Sequence, residues 1–178
     1  MYKRQIITCG QVNQIIKQDP LTSQTDHKLS FDNVQGMLKG FIDFPFELDG
    51  RYYVLDWKSN FLGTDSSAYT QSAMATAMLD HRYDFQYQLY TLALHRFLRA
   101  RLPDYDYDTH IGGAYYIFLR GVQNHTNNGV FFTKPSKKLI EQLDDLFSNT
   151  EHTIKESRGN ASEADELNIP SGEQGELF

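Results

Sequence analysis

A chain of 178 residues, 40% hydrophobic and 13% aromatic, suits one domain with a real core and room for a tail. No window nears the eighteen or so apolar residues that span a bilayer, and the N-terminal "MYKRQIITCG" has no signal-peptide core. The single cysteine, Cys9, excludes an intramolecular disulfide and a multi-cysteine zinc or iron–sulfur site, so a soluble, cytoplasmic protein is expected.

The net charge of −6 is unevenly distributed. Residues 151–178 hold seven acids against Lys155 and Arg158, which leaves 16 acids and 15 bases for residues 1–150. A near-neutral domain over 1–150 followed by an acidic, disordered tail over 151–178 is the expected organisation. Stand-alone nucleic-acid binders are more often clearly basic. If this body meets DNA, another component is expected to bring the DNA to it.

In chain order, Val12, Ile15 and Ile16 mark a short amphipathic helix that ends before Asp19-Pro20, because the residue preceding a proline is pushed out of helical geometry. A β-prone run begins at Met37 and continues to Phe46. It meets Asp49-Gly50, a strong hairpin turn signal, and Arg51 to Lys58 is the returning strand. "NFLGTDSSAYTQ" is a loop offering Asp65, Ser66 and Ser67 as caps for an Ala- and Met-rich helix. A second helix is expected from about Asp84, as its cap, to Leu102 before Pro103. "IGGAYYIFLRGV" reads as a strand buried on both faces. "VFFT" is a short strand, and a helix from about Pro135 to Asn149 places Leu139, Ile140, Leu143, Leu146 and Phe147 on one face. The order predicts an α/β or α+β sandwich with a mixed sheet.

The hairpin carries the chemistry. With Asp49 and Gly50 as the centre of a type I′ turn, Leu48 pairs with Arg51, Glu47 with Tyr52, and Asp43 comes to lie opposite Asp56. Directly opposed residues have Cβ atoms about 4.5–5.5 Å apart on one face, and Lys58 shares that face because side chains alternate. Two opposed acids repel, whereas a divalent cation would turn the repulsion into binding. Magnesium takes oxygen ligands, and one or two carboxylates usually hold it. A lysine beside it could stabilise charge developing on a phosphate or orient the nucleophile. The alternative is a solvated surface hairpin in which Asp56 and Lys58 merely pair. Pro45 inside the first strand implies an edge or a bulge, which leaves the register open by one residue.

The second helix adds Gln86 and Tyr90, four apart and therefore on one face. The alternative for this pair is an ordinary amphipathic helix with aromatic residues in the core. The order is apolar-Asp, hairpin, apolar-Asp-x-Lys, then a helix with Q-x-x-x-Y. It is carried by "GMLKGFIDF", "YYVLDWKSNFLG", "DSSAYTQSAMATAM", "HRYDFQYQLYTLALHRFLR" and "YDYDTHIGGAYYIFLRGV", and it resembles the RecB nuclease family within the PD-(D/E)XK superfamily. The resemblance runs from Gly36 to Val122 and is looser on either side.

That resemblance implies a restriction-endonuclease-like α/β core with a mixed central sheet flanked by helices. It implies a Mg²⁺-dependent deoxyribonuclease of the exonuclease V type, with Mn²⁺ a possible substitute, working on double-strand breaks and in recombination. It makes Asp43 and Asp56 metal-binding acids, Lys58 the catalytic lysine, the carbonyl of Trp57 a further metal contact, and Gln86 and Tyr90 a pair beside the site. Its implied partners are DNA, the RecC and RecD subunits, and a RecB helicase portion. No Walker motif occurs here, and the "GTFLH"-like stretch that supplies the family's histidine ligand is missing. His27 stands in the wrong context to replace it. A C-terminal portion of a longer chain is therefore expected. A degenerate nuclease fold serving as a binding module, or another superfamily nuclease, are the competing readings. The final "QGELF", Gln174 to Phe178, resembles a sliding-clamp docking pentapeptide, against the alternative of a meaningless tail.

Overall fold

The computed structural model describes residues 7–23, 25–26, 28–30 and 42–148. Expectations for Met37 to Phe41, His27, the 151–178 tail and the Gln174–Phe178 pentapeptide lie outside the described residues. The first helix, α1 (Cys9–Ile16), is closed by a capping box in which Thr8 and Gln11 each bond the other's backbone N–H. It buries Ile7, Val12 and Ile16 beside Phe85 and Leu146.

Next come β1 (Phe44–Leu48) and β2 (Arg51–Lys58), then a 3₁₀ turn (Ser66–Ala68), α2 (Gln71–Asp80) and α3 (Tyr83–Arg99). They are followed by α4 (Tyr107–His110), β3 (Ile111–Phe118), β4 (Val130–Thr133) and α5 over 137–148. The strands form one mixed sheet in the order β1-β2-β3-β4, antiparallel at both outer pairs and parallel between β2 and β3. The chain is α/β, as expected. Among the described residues no helix is long and apolar enough to cross a membrane.

The β1–β2 turn has positive φ at Asp49 (51°) and Gly50 (75°), the signature of type I′, and the predicted register holds without a slip from Leu48↔Arg51 to Phe44↔Leu55. Pro45 is tolerated for two reasons. Its strand is at the sheet edge, and counting from the turn it falls opposite Val54 at a position where no ladder bond is exchanged.

Three expectations are corrected. Among the described residues the first strand spans Phe44–Leu48, so it runs past Phe46 and leaves Ile42 and Asp43 outside it. Asp65, Ser66 and Ser67 serve the 3₁₀ turn, while α2 is capped by Thr70, whose side chain accepts from the Ala73 N–H. Asp84 does not cap α3. Arg82, left-handed at φ 57°, occupies that position, and Asp84 sits inside the first turn in a two-bonded pair with the Arg82 guanidinium.

One sheet face is packed. Val54, Ala114, Tyr116 and Phe118 bury there with Tyr87, Leu94 and Leu98 of α3, Met74 and Met78 of α2, and Leu139, Ile140 and Leu143 of α5. The other face carries a ladder of rings, Phe46–Tyr53 at 5.0 Å, Tyr53–Tyr115 at 5.8 Å and Tyr115–Phe132 at 4.8 Å between centroids. Gly112 is an extra residue between the partners of Tyr52 and Tyr53, and a Cβ there would lie 2.2 Å from the Tyr53 ring. That glycine bulge sets the later register, which places Tyr116 beside Asp56 and Phe118 beside Lys58.

Candidate active site

Val54, Asp56 and Lys58 alternate onto the packed face at the end of β2, so a carboxylate and an ammonium are placed where apolar side chains would normally sit. Asp56 is 5% exposed and Lys58 7%. They pair at 2.5 Å. Lys58 is held on other sides as well. Its Nζ donates to Gln86 Oε1 at 3.0 Å and stands 3.7 Å from the centre of the Tyr83 ring and 5.0 Å from that of Tyr116. The face of an aromatic ring attracts a cation, so this cage fixes the ammonium without neutralising it.

Gln86 is oriented from three directions. Its Oε1 also accepts from Tyr116 Oη at 3.1 Å, and its Nε2 donates to Tyr90 Oη at 2.9 Å. With that acceptance made, the Tyr90 hydroxyl proton remains available to an incoming oxygen. Burial pushes the Tyr90 and Tyr116 phenols above the ordinary range, and the negative charge of Asp56 acts in the same direction, so both stay protonated donors.

Asp43 lies one residue before β1, at the point where the hairpin register would set it opposite Asp56. Its Oδ2 accepts from the Trp57 N–H at 3.1 Å, so a carboxylate takes the position of the next ladder acceptor. In an extended strand the N–H and C=O of one residue point to the same neighbour. The Lys58 carbonyl accepts from Leu119 N–H on the β3 side, and the Trp57 carbonyl is therefore directed to the Asp43 side. The Trp57 indole itself is 48% exposed and belongs to the opposite sheet face.

The electrostatics of the acid pair are unsatisfied. Burial raises the Asp56 carboxyl above the usual range, Lys58 opposes that with its hydrogen bond and charge, and Asp43 adds repulsion. Among the described residues no three His, Cys, Asp or Glu side chains converge on one cation position. The donor set is two carboxylates and a main-chain carbonyl, all oxygen. That set fits a hard divalent cation completed by water and ligand oxygens, and it lacks the nitrogen and sulfur donors that favour zinc and softer metals.

All five side chains singled out in the sequence, together with the Trp57 backbone, thus come to one region. Sequence reasoning missed Tyr83, Tyr116 and Asn60. Tyr83 Oη donates to Asn60 Oδ1 at 3.3 Å, which ties the cage to the loop after β2. Tyr83, Gln86 and Tyr90 are spaced i, i+3, i+7, so a helical-stripe reading would have found Tyr83. Tyr116 carried no such signal, because its place depends on the β2–β3 pairing.

Fold and site together define an α/β core with a mixed four-stranded sheet, an acid pair and a caged lysine at a strand end, an arrangement consistent with a nuclease-like core. The chain belongs to the RecB family. Over 144 residues, 80% of the chain, it is 56% identical to RecBCD enzyme subunit RecB of Escherichia coli (strain K12), of which the match covers 12%. It is 48% identical over 119 residues to the RecB subunit of Haemophilus influenzae, covering 67% of the chain and 10% of that protein. It is 37% identical over 140 residues to that of Mycobacterium tuberculosis (strain ATCC 25618 / H37Rv), covering 72% of the chain and 13% of that protein. The chain thus spans little more than a tenth of the length of the curated relatives it matches. No protein-family model matches it.

Proposed function

We propose that the chain is the DNA-cleaving part of a RecBCD-type exonuclease V, hydrolysing phosphodiester bonds with Mg²⁺, or Mn²⁺ in its place, during double-strand-break processing and recombinational repair. The observation that carries this reading is the convergence of Asp43, Asp56 and the Trp57 carbonyl side on one strand end, with Lys58 caged beside them. A bound magnesium ion there supplies a Lewis acid and lowers the pKa of a water it holds. Asp43, Asp56 and the Trp57 carbonyl would hold it. Lys58 stabilises charge on the phosphate oxygens, Gln86 keeps the ammonium aimed, and Tyr90 offers a hydroxyl to the same ligand.

The near-neutral body supports a division of labour in which RecC, RecD and the RecB helicase portion deliver the DNA. Retention of both acids and the lysine argues against a fold kept only for binding. The test is cleavage of labelled DNA by the chain, alone and joined with those components. Cleavage should need Mg²⁺ or Mn²⁺, stop with EDTA or Ca²⁺, and be lost in Asp56→Asn. Metal-independent cleavage, or full activity in Asp56→Asn, would refute the proposal.

A further inference from the structure

The loop after Lys58 carries a bare aromatic ring. Phe61 is 66% exposed, the highest value among the exposed large apolar side chains of the described residues, and no ring contact or hydrogen bond of its own is found there. Singly exposed apolar residues are common and need no explanation. The difference here is that the chain on both sides of Phe61 is tied down. Tyr69, fully buried, donates from Oη to the Asn60 carbonyl at 3.2 Å and accepts from the Leu62 N–H at 3.2 Å. Asn60 Oδ1 accepts from Tyr83, the residue whose ring faces Lys58. Arg120, exposed, donates from Nε to the Ser59 carbonyl at 3.2 Å.

A phenylalanine is therefore held out in water by a braced loop, with a guanidinium on the same loop edge. It follows Lys58 by three positions, so the two Cα atoms are at most about 10 Å apart. We infer that Phe61 is a stacking platform for a nucleobase of single-stranded DNA, one or two nucleotides from the scissile phosphate. The inference rests on the nuclease reading above and deepens it by naming a residue of this chain that would hold a base beside the site. A base can offer its face to a ring only when it has left the duplex stack, and stacking on an aromatic side chain tolerates any sequence.

The probe is a short oligothymidylate carrying one 2-aminopurine, titrated with the full chain in calcium buffer, where binding proceeds without cleavage. Wild type should quench the 2-aminopurine fluorescence. Phe61→Ala and Phe61→Leu should bind about tenfold more weakly with the quench lost, and Phe61→Trp should restore both. Because the side chain is exposed, circular dichroism should be unchanged in all three. Equal binding by wild type, Phe61→Ala and Phe61→Leu, including none by any, overturns the inference, as does full affinity in Phe61→Leu with only Phe61→Ala weakened. The nuclease reading is scored separately, by magnesium-dependent cleavage of the same oligonucleotide by wild type against Asp56→Asn. Its failure is loss of that contrast, not loss of the quench.

Discussion

Two buried aspartates in this molecule each pair with a cation, and their surroundings treat them in opposite ways. Asp144 on α5 is met by two guanidinium groups of α3, Arg96 at 2.5 Å and Arg99 at 2.7 Å, and Arg96 also donates to the Asp144 carbonyl at 3.3 Å and to Ser148 Oγ at 3.0 Å. Burial pushes its carboxyl up, but the hydrogen bonds and charges of the two arginines outweigh that and hold it below the usual range. Asp56 is met by one ammonium, which is shared with Gln86 and two rings, and by a second carboxylate. There burial wins and the carboxyl is raised. The first arrangement is complete and clamps one helix to another. The second is one positive charge short, and the cation proposed above would supply it.

Exchanging each acid for its neutral isostere separates the two roles, and this gives the largest expected effect. Asp56→Asn should lower DNA cleavage more than about a hundredfold, since it removes a metal-holding oxygen charge. Its metal-free stability should fall by less than that of Asp144→Asn, because losing the charge that pairs with buried Lys58 is offset in part by relief of the repulsion from Asp43. Asp144→Asn should do the reverse, costing about 2 kcal/mol in urea denaturation, a figure kept low because both arginines reach solvent, while cleavage is little changed. Equal stability losses in the two variants would erase the distinction.

Loosening the cage should cost less. Gln86→Leu removes the acceptor that aims Lys58 and the donor to Tyr90 while keeping the volume, and should lower the cleavage rate about ten- to a hundredfold with the fold intact. An unchanged rate would mean that the rings alone position the ammonium.

Acid sharpens the contrast through stability. Asp144 has a depressed folded pKa, so the unfolded chain takes up its proton first as pH falls. Its contribution is full above the unfolded value of about 4 and is lost as pH drops through the folded one. Asp56, raised in the metal-free fold, works with the opposite sign, and its contribution is lost as pH rises through the folded value. Denaturation midpoints between pH 3 and 7 should therefore vary less steeply in Asp144→Asn and more steeply in Asp56→Asn than in wild type. Parallel curves for all three would contradict the assigned directions.

The hairpin was legible in the sequence because its determinants are local. Asp49-Gly50 forces the turn, the turn forces the register, and the register carries Asp43 toward Asp56 whatever the rest of the chain does. Gln86 and Tyr90 were legible as one helix face for the same reason. What escaped was non-local. A mixed sheet was expected, but nothing in the sequence announced the β2–β3 register with Gly112 bulged out, and only that register brings Tyr116 to Asp56 and Lys58. Helix starts were misread where a competing short-range contact outranks cap preference. Asp84 looks like a cap in isolation, but the Arg82 pair draws it into the first turn. The Ser66–Ala68 turn displaced the cap of α2 to Thr70.

The smallest effect belongs to the residue that takes part through its backbone. Trp57→Phe changes a half-exposed side chain on the far face of the sheet and leaves the main-chain carbonyl in place. Cleavage should remain within about twofold of wild type, as for surface substitutions away from a site's contacts. A large loss would give the indole a role that the geometry does not.

The central claim is that the acid pair is a cation site, and the most direct measurement is Mn²⁺ binding to the full chain followed by electron paramagnetic resonance. Wild type should take up Mn²⁺ saturably, Mg²⁺ should compete for it, and Asp56→Asn and Asp43→Asn should each abolish that uptake while Asp144→Asn keeps it. Mn²⁺ bound equally by wild type and Asp56→Asn would contradict the account.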